Sequence, residues 1–421
     1  MKLAQLEKAK SILIYGFGRE GTSSYKFLRR RFPKKKIVVY DKMKKGARIP
    51  SLKKFDVVVV SPGVSEKKLK GARPTTLTSN NRIFFDNIPE EKRKRVIGIT
   101  GTKGKSTTTK FCAELLANAG WRVRGVGNIG LPLLDSYDSL MRGRLDYVVV
   151  ELSSYQLGTL HASPGIALFL NLYPEHLNRH GSFARYADAK KNIWKFQAAE
   201  DVVIAPKKLK PIIVSPRASA PRSRVLLAPR APATLFPKDS IFSSAHFRDN
   251  FGAVCKLANL LHISNSTLRT TAKKFRGLPY RMEHFATKKG IRFYDDSLST
   301  NPDSTLAAVR FFGKRLGAIV LGGQDRGQHF DELAKALKTT GAVVIILGSE
   351  TSAGIARAMK KNGVQKWHHA ATLKEAVARI YELANPGSCA VLSPAAPSYD
   401  RFKNYEEKGS AFKKFVTKVR V

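Results

Sequence analysis

Short apolar runs of four to six residues recur along this chain. Most are followed by a glycine-bearing turn and then by apolar residues spaced three or four apart. Runs that short without polar alternation suit strands buried on both faces, and the strand–turn–helix repeat suits a parallel sheet with helical crossovers. The pattern predicts strands at 11–15, 36–40 and 56–60, with a helix between the first two ending near Phe32. It predicts further strands at 95–99, 121–126, 146–151 and 165–171. Helices are predicted at 107–119, with Phe111, Leu115 and Leu116 on one face, and at 186–195, 251–263 and 267–275. From residue 291 strand and helix alternate again, and parallel strands with right-handed crossovers are expected. Residues 201–239 are Pro- and Arg-rich and predict irregular structure with weak strands. Breaks at 89–95 and 278–283 divide the chain into 1–92, 93–277 and 278–421. The expected fold class is α/β, with three domains that each hold a mainly parallel, doubly wound sheet.

Composition changes this picture little. At 421 residues the chain is long for one core. Cys112, Cys255 and Cys389 are far apart and odd in number, which fits a reducing compartment better than a disulfide framework. The first apolar run is too short for a signal core, and no run approaches the roughly 20 residues of a membrane span. A soluble cytoplasmic monomer, with no membrane partner, is expected.

Charge is extreme: 75 Lys+Arg against 32 Asp+Glu, a net +43. The excess is spread along the chain, with local runs at 29–36 and 91–95 between predicted elements. A field favouring polyanionic nucleotides is expected. A dedicated nucleic-acid partner is not, because no basic-aromatic stacking platform accompanies the charge.

The segment with the most chemistry is Gly98-Ile-Thr-Gly-Thr-Lys-Gly-Lys-Ser-Thr-Thr108. A buried strand, a Gly-rich turn ending in Gly-Lys-Ser and a helix make a phosphate cradle, with backbone N–H groups facing the anion. Lys105 would reach the outer phosphates and the Ser106 hydroxyl would sit on magnesium. The strict spacing of a P-loop is not met, because only two residues separate Gly101 from Gly104. Gly16-Phe-Gly-Arg-Glu-Gly21, with Asp41 at the end of the next strand, matches a dinucleotide turn. Such a turn can hold any nucleotide diphosphate. Glu151 ends an apolar strand and offers a hard oxygen ligand for magnesium. His176 and Lys190 are weaker signals taken singly.

Together these segments resemble the Mur ligase family of ATP-dependent amide-bond ligases, over nearly the whole chain. Gly101-Thr-Lys-Gly-Lys-Ser-Thr107 is similar to that family's shortened phosphate loop. Gly127-Asn-Ile-Gly130, Glu151-Leu-Ser-Ser-Tyr-Gln-Leu157, Ser61-Pro-Gly-Val64, Asp295-Asp-Ser-Leu-Ser-Thr-Asn301 and the stretch from Leu392 to Glu406 resemble its D-glutamate-adding branch. The resemblance implies a first domain that holds UDP-N-acetylmuramoyl-L-alanine, with Arg19, Glu20, Asp41 and Lys42 around the UDP and Ser61, Pro62 and Gly63 near its diphosphate. It implies a central ATP-binding domain, with Gly101, Thr102, Lys103, Gly104, Lys105, Ser106 and Thr107 on the phosphates. Asn250 and Arg281 map to nucleotide contacts, with Asn250 left to anchor the base, and Asp296 maps to the ribose side. One magnesium ion maps to Ser106 and Glu151, and a second to His176 and a carbamylated Lys190. Asn128 and Ser153 map to muramoyl contacts. Thr300, Arg326, Ser398 and Tyr405 map to a D-glutamate pocket in the C-terminal domain. Lys105, His176 and Lys190 are the residues implied in catalysis.

The chain departs from the family pattern at Glu175, at Asn178, at Leu298 where a lysine is common, and at Ala245-His-Phe247. Other readings remain open. A folylpolyglutamate synthase would share the fold but would not call for the Ser61–Gly63 turn. A nucleic-acid-stimulated ATPase would use the charge. An NAD-dependent oxidoreductase would explain Gly16–Gly21 and leave the phosphate loop unexplained.

Overall fold

The computed structural model describes residues 1–41, 50–64, 69, 76–128, 130–214, 221–237, 242 and 245–418. These form two compact units, Met1–Phe275 and Arg276–Val421. Three parallel-sheet-rich domains are distributed over them, two in the first unit and one in the second.

The first sheet has the order β2-β1-β3-β4, from β1 (Ser11–Tyr15), β2 (Lys36–Tyr40), β3 (Val57–Val60) and β4 (Leu77–Thr78), all parallel. The helix Arg19–Arg31 follows β1. The turn between them is tight. Gly16 has φ +93°, and a Cβ on Gly21 would lie 2.0 Å from the Gly16 carbonyl oxygen. Only glycine permits that approach.

The second sheet has the order β10-β9-β8-β5-β7-β6, again all parallel. Its strands are β5 (Val96–Thr100), β6 (Val123–Gly127), β7 (Tyr147–Glu151), β8 (Ile166–Phe169), β9 (Val202–Pro206) and β10 (Arg224–Ala228). Every residue of β5, β7, β8 and β9 is buried, which explains their unbroken apolar runs. The stretch 201–239, expected to be irregular with weak strands, contributes both β9 and β10. Val203 and Ile204 are fully buried on β8, a partner the local sequence does not disclose. The helix Lys105–Asn118 begins two residues before its apolar periodicity does, straight from Gly104 at φ +81°. Phe111, Leu115 and Leu116 lie in a core with Phe251 and Phe275.

The second unit has the order β11-β12-β16-β13-β14-β15. Its strands are β11 (Glu283–Lys288), β12 (Ile291–Asp295), β13 (Leu316–Leu321), β14 (Val343–Leu347), β15 (Trp367–Ala370) and β16 (Cys389–Leu392). All neighbours are parallel except β11, which runs antiparallel to β12. The sheet is thus mainly parallel, as expected, with one antiparallel edge strand. Lys289 and Gly290, at φ +49° and +74°, close the hairpin as a two-residue turn with both residues left-handed. β11 and β15 are half-exposed edge strands, without the apolar run by which their neighbours are recognised.

Candidate active site

The phosphate turn sits at the C-terminal end of β5, between β7 and β8, where parallel sheets present their ligand sites. Asn171, just beyond β8, braces it. The Thr102 and Lys103 N–H groups donate to Asn171 Oδ1 at 3.0 and 2.8 Å, and Asn171 Nδ2 donates to the Lys103 carbonyl at 2.8 Å. Asn171 Nδ2 also donates to Asn250 Oδ1 at 2.9 Å. Asn250 Nδ2 is buried without an acceptor among the described residues, and a Cβ on Gly104 would meet it at 2.2 Å. Asn250, expected at the base, therefore lies against the phosphate turn. Gly101 and Thr102 are buried, as are Ser106 and Thr107 in the first turn of the helix. Lys105 Nζ donates back to the Thr102 carbonyl at 2.8 Å. Lys103 is exposed and pairs with Glu175 at 2.6 Å.

Lys190 is 1% exposed, and its ammonium donates to the Gly101 carbonyl at 2.8 Å and faces the Tyr186 ring at 5.0 Å. Burial, with Lys105 adding to it, pushes its pKa down to about 7, against opposing pulls from Glu175 and Glu151. Asp188 pairs with Lys191 instead, at 3.2 Å. Burial also lowers the His176 pKa, assisted by Lys105, Lys190 and Lys103 and opposed by Glu175. Tyr186 meets the turn through its hydroxyl, 3.0 Å from Thr102 Oγ1.

Glu151 is 2% exposed at the end of β7, and the Asn128 amide donates to one of its oxygens at 3.2 Å. Among the described residues no basic side chain pairs with it. A buried carboxylate without a cation fits a divalent metal, as do the Ser106 hydroxyl and a neutral His176. An ammonium at Lys190 does not, because it has no lone pair. Among the described residues no three His, Cys, Asp or Glu side chains gather into a ready-made cage.

The first turn is built differently. Asp41 Oδ2 accepts from the Phe17 N–H at 3.1 Å, and Ser61 Oγ donates to the Gly16 carbonyl at 2.7 Å. Arg19 is exposed at the helix start. Glu20 accepts from Gln156 Nε2 at 2.6 Å, and its other oxygen is buried without a partner among the described residues. Burial pushes its pKa up to about 7, opposed by Gln156. Ser153 donates to Gln156 Oε1 at 2.9 Å, so Gln156 ties Ser153 to Glu20. Pro62 and Gly63 belong to the Ser61 turn. Lys42 lies outside the described residues.

In the second unit Asp296 is 2% exposed, with its oxygens taken by the Met282 N–H at 3.0 Å and the Ser393 hydroxyl at 2.7 Å. Burial raises its pKa to about 6. These bonds tie it to Met282 and, 97 residues away, to Ser393 just beyond β16. Arg281 and Arg326 are exposed, and the Arg326 guanidinium lies over the Tyr399 ring at 5.7 Å. Ser398 Oγ is buried without a partner among the described residues. The Tyr405 ring lies 5.9 Å from Tyr280. Thr300 is half-buried after β12, its N–H bonded to the Leu298 carbonyl at 2.9 Å.

Residues 99–222 match the Mur ligase middle domain, and residues 280–396 match the Mur ligase glutamate ligase domain. The chain belongs to the Mur ligase family. It is 33% identical to the UDP-N-acetylmuramoylalanine–D-glutamate ligase of Caldanaerobacter subterraneus subsp. tengcongensis, over 88% of this chain and 85% of that one. It is 31% identical to the UDP-N-acetylmuramoyl-L-alanine–L-glutamate ligase of Xanthomonas euvesicatoria pv. vesicatoria, over 98% and 96%. Among solved structures, the UDP-N-acetylmuramate–alanine ligase of Thermotoga maritima superposes with a TM-score of 0.58 at 17% identity, covering 97% of this chain and all of that one. The MurF ligase of Thermotoga maritima in complex with ADP gives 0.55 at 15% identity, covering 98% and 97%. At those identities the likeness is one of fold. Among the described residues of this Mur ligase no helix is long and apolar enough to cross a membrane.

Sequence reading missed Asn171, Gln156 and Arg179 as site builders. Asn171 stood in plain view as the first polar residue after an apolar run, but only the folded turn reveals what it binds.

Proposed function

We propose that this Mur ligase joins D-glutamate to UDP-N-acetylmuramoyl-L-alanine at the expense of ATP, through an acyl phosphate. The Ser61 and Gly16 turns hold the UDP end, and the turn from Gly101 to Thr107 holds the ATP phosphates. Lys105 leaves the Thr102 carbonyl and offsets charge on the transferring phosphoryl group, while the braced N–H groups fix its orientation. The L-alanyl carboxylate attacks the γ-phosphorus and ADP leaves. The amine of D-glutamate then attacks the acyl carbon, phosphate leaves and the amine proton is lost. Ser106 with Glu151, and His176 with a carbamylated Lys190, would hold two magnesium ions, which neutralise phosphate charge when bound. Arg326, Thr300, Ser398 and Tyr405 form the amino-acid pocket. The domain limits 1–92, 93–277 and 278–421 belong to the same reading.

The observation that carries this reading is Lys190, a buried amine titrating near 7 that is hydrogen-bonded to the phosphate turn. A plain ATPase turn has no use for it. The relatives named L-glutamate ligases support a second reading, with L-glutamate as the incoming amine. Phosphate release with UDP-N-acetylmuramoyl-L-alanine and a panel of amino acids tests both. Release should need D-glutamate. Equal release with L-lysine would remove the pocket assignment, and preference for L-glutamate would favour the second reading.

A further inference from the structure

Arg179 reaches from the His176 segment to the Ser61 turn. One of its terminal nitrogens donates to the Pro62 carbonyl at 2.6 Å and to the Val64 carbonyl at 3.1 Å. The guanidinium lies 3.9 Å from the centre of the Tyr155 ring. His180 stacks on Tyr155, with 5.3 Å between centroids and 5° between planes, and its Nε2 lies 3.0 Å from Ser154 Oγ. The short helix Leu177–His180 is thus fastened to the Ser154–Leu157 helix on one side and to the Ser61 turn on the other.

Two sites meet on this helix. Its N-cap is His176, held at φ +57°, a left-handed conformation that a non-glycine residue adopts only when its surroundings impose it. The Arg179 and His180 N–H groups both bond the His176 carbonyl at 3.1 Å. The Ser61 turn in turn touches Gly16 through the Ser61 hydroxyl at 2.7 Å. A ligand that orders the Ser61 turn therefore orders the carbonyls that Arg179 grips, and through Arg179 the backbone that presents His176.

We propose that Arg179 is a positioning residue that couples occupancy of the first turn to nucleotide binding at the second. The planar head matters, because one guanidinium nitrogen holds both carbonyls while the delocalised group lies over the Tyr155 ring, a combination that a compact, strongly hydrated ammonium serves less well. Coupling of this kind is reciprocal: each ligand tightens the other by the same factor. The inference rests on the assignment above of the UDP-substrate to the first turn and ATP to the second.

The test is a calorimetric cycle on the full chain, with ADP titrated in the absence and presence of saturating UDP-N-acetylmuramoyl-L-alanine. In the wild type the UDP-substrate should tighten ADP by about fivefold or more, the lower end of ordinary couplings. In Arg179→Ala each ligand still binds alone and the factor falls to about one. Arg179→Lys, which keeps the charge without the planar guanidinium, should lose most of the coupling, and it decides the matter if the alanine variant does not fold. A wild-type factor of one, an unchanged factor in Arg179→Ala, or full coupling in Arg179→Lys would overturn the proposal. A wild type that binds ADP but no UDP-substrate would instead sink the assignment of the first turn.

Discussion

The two glycine turns at the ends of β1 and β5 share a plan of strand, turn and helix, yet they differ in what surrounds the backbone. The β1 turn is trimmed by neutral and acidic groups: Ser61 on Gly16, Asp41 on the Phe17 N–H, and a buried Glu20 bonded to Gln156. The β5 turn is trimmed by an asparagine and two lysines, Lys105 and the buried Lys190. A turn of the first kind can hold a diphosphate that does not react. The second brings cationic donors to its carbonyls, where charge would develop during phosphoryl transfer. The net charge of +43 does not make this distinction, since it is spread along the chain.

The sharpest way to break the comparison is Lys105→Ala. Turnover should fall by about 10²–10³, the usual loss for one electrostatic donor. UDP-substrate binding, followed by calorimetry, should persist. Loss of both ligands together would mean that the two turns do not divide the work.

Lys190→Ala should lose most activity, and short-chain carboxylates should restore part of it by standing in for the carbamate. A fully active Lys190→Arg would end the carbamate idea. Stability provides an independent check. Because the folded pKa of about 7 lies below the ordinary 10.5, the unfolded chain binds more protons between those values. Stability should therefore rise with pH from about 7 to 10.5, by up to about 1.4 kcal/mol per pH unit from this group. Denaturant titrations across that range should show the slope in the wild type and its loss in Lys190→Ala.

Arg326→Ala should raise the D-glutamate KM by about 30-fold, equivalent to ~2 kcal/mol, with the ATP KM little changed. An unchanged D-glutamate KM would remove Arg326 from the pocket.

The last variant is Glu20→Gln, which keeps an acceptor for Gln156 and acts on stability. Glu20 titrates near 7 against an ordinary 4.5, so the folded state holds its proton between those values while the unfolded state has lost it. Its contribution to stability is complete below pH 4.5 and is lost as pH rises through 7. The variant should gain up to about 3 kcal/mol over the wild type at pH 8 and nothing at pH 4. An equal gain at both values would contradict a buried, titrating Glu20.

Much of this contrast was legible in the sequence. Both turns announce themselves by glycines after an apolar strand, and the Lys105-Ser106 pair marks the reactive one. The strand ends that present Glu151 and Asn171 follow from runs too apolar to be exposed. What the sequence hides is long-range. Asn171 lies 68 residues from the Lys103 N–H it accepts, and Arg179 lies 117 residues from Pro62. Short pairings suffer in the same way. β9 read as a weak strand because its main partner is β8, and β11 was not foreseen because its hairpin turn is Lys-Gly where Asn-Gly would be the usual signal. Asp296 belongs here too, since one of its partners, Ser393, lies 97 residues away.

The central claim is that the β5 turn moves a phosphoryl group onto the substrate carboxylate before the amide forms. Labelling both carboxylate oxygens of the L-alanyl group with ¹⁸O and weighing the released phosphate tests it directly. The account predicts phosphate carrying one ¹⁸O per amide formed, released only when ATP and the amino acid are both present. Unlabelled phosphate from a reaction that still forms the amide would contradict it.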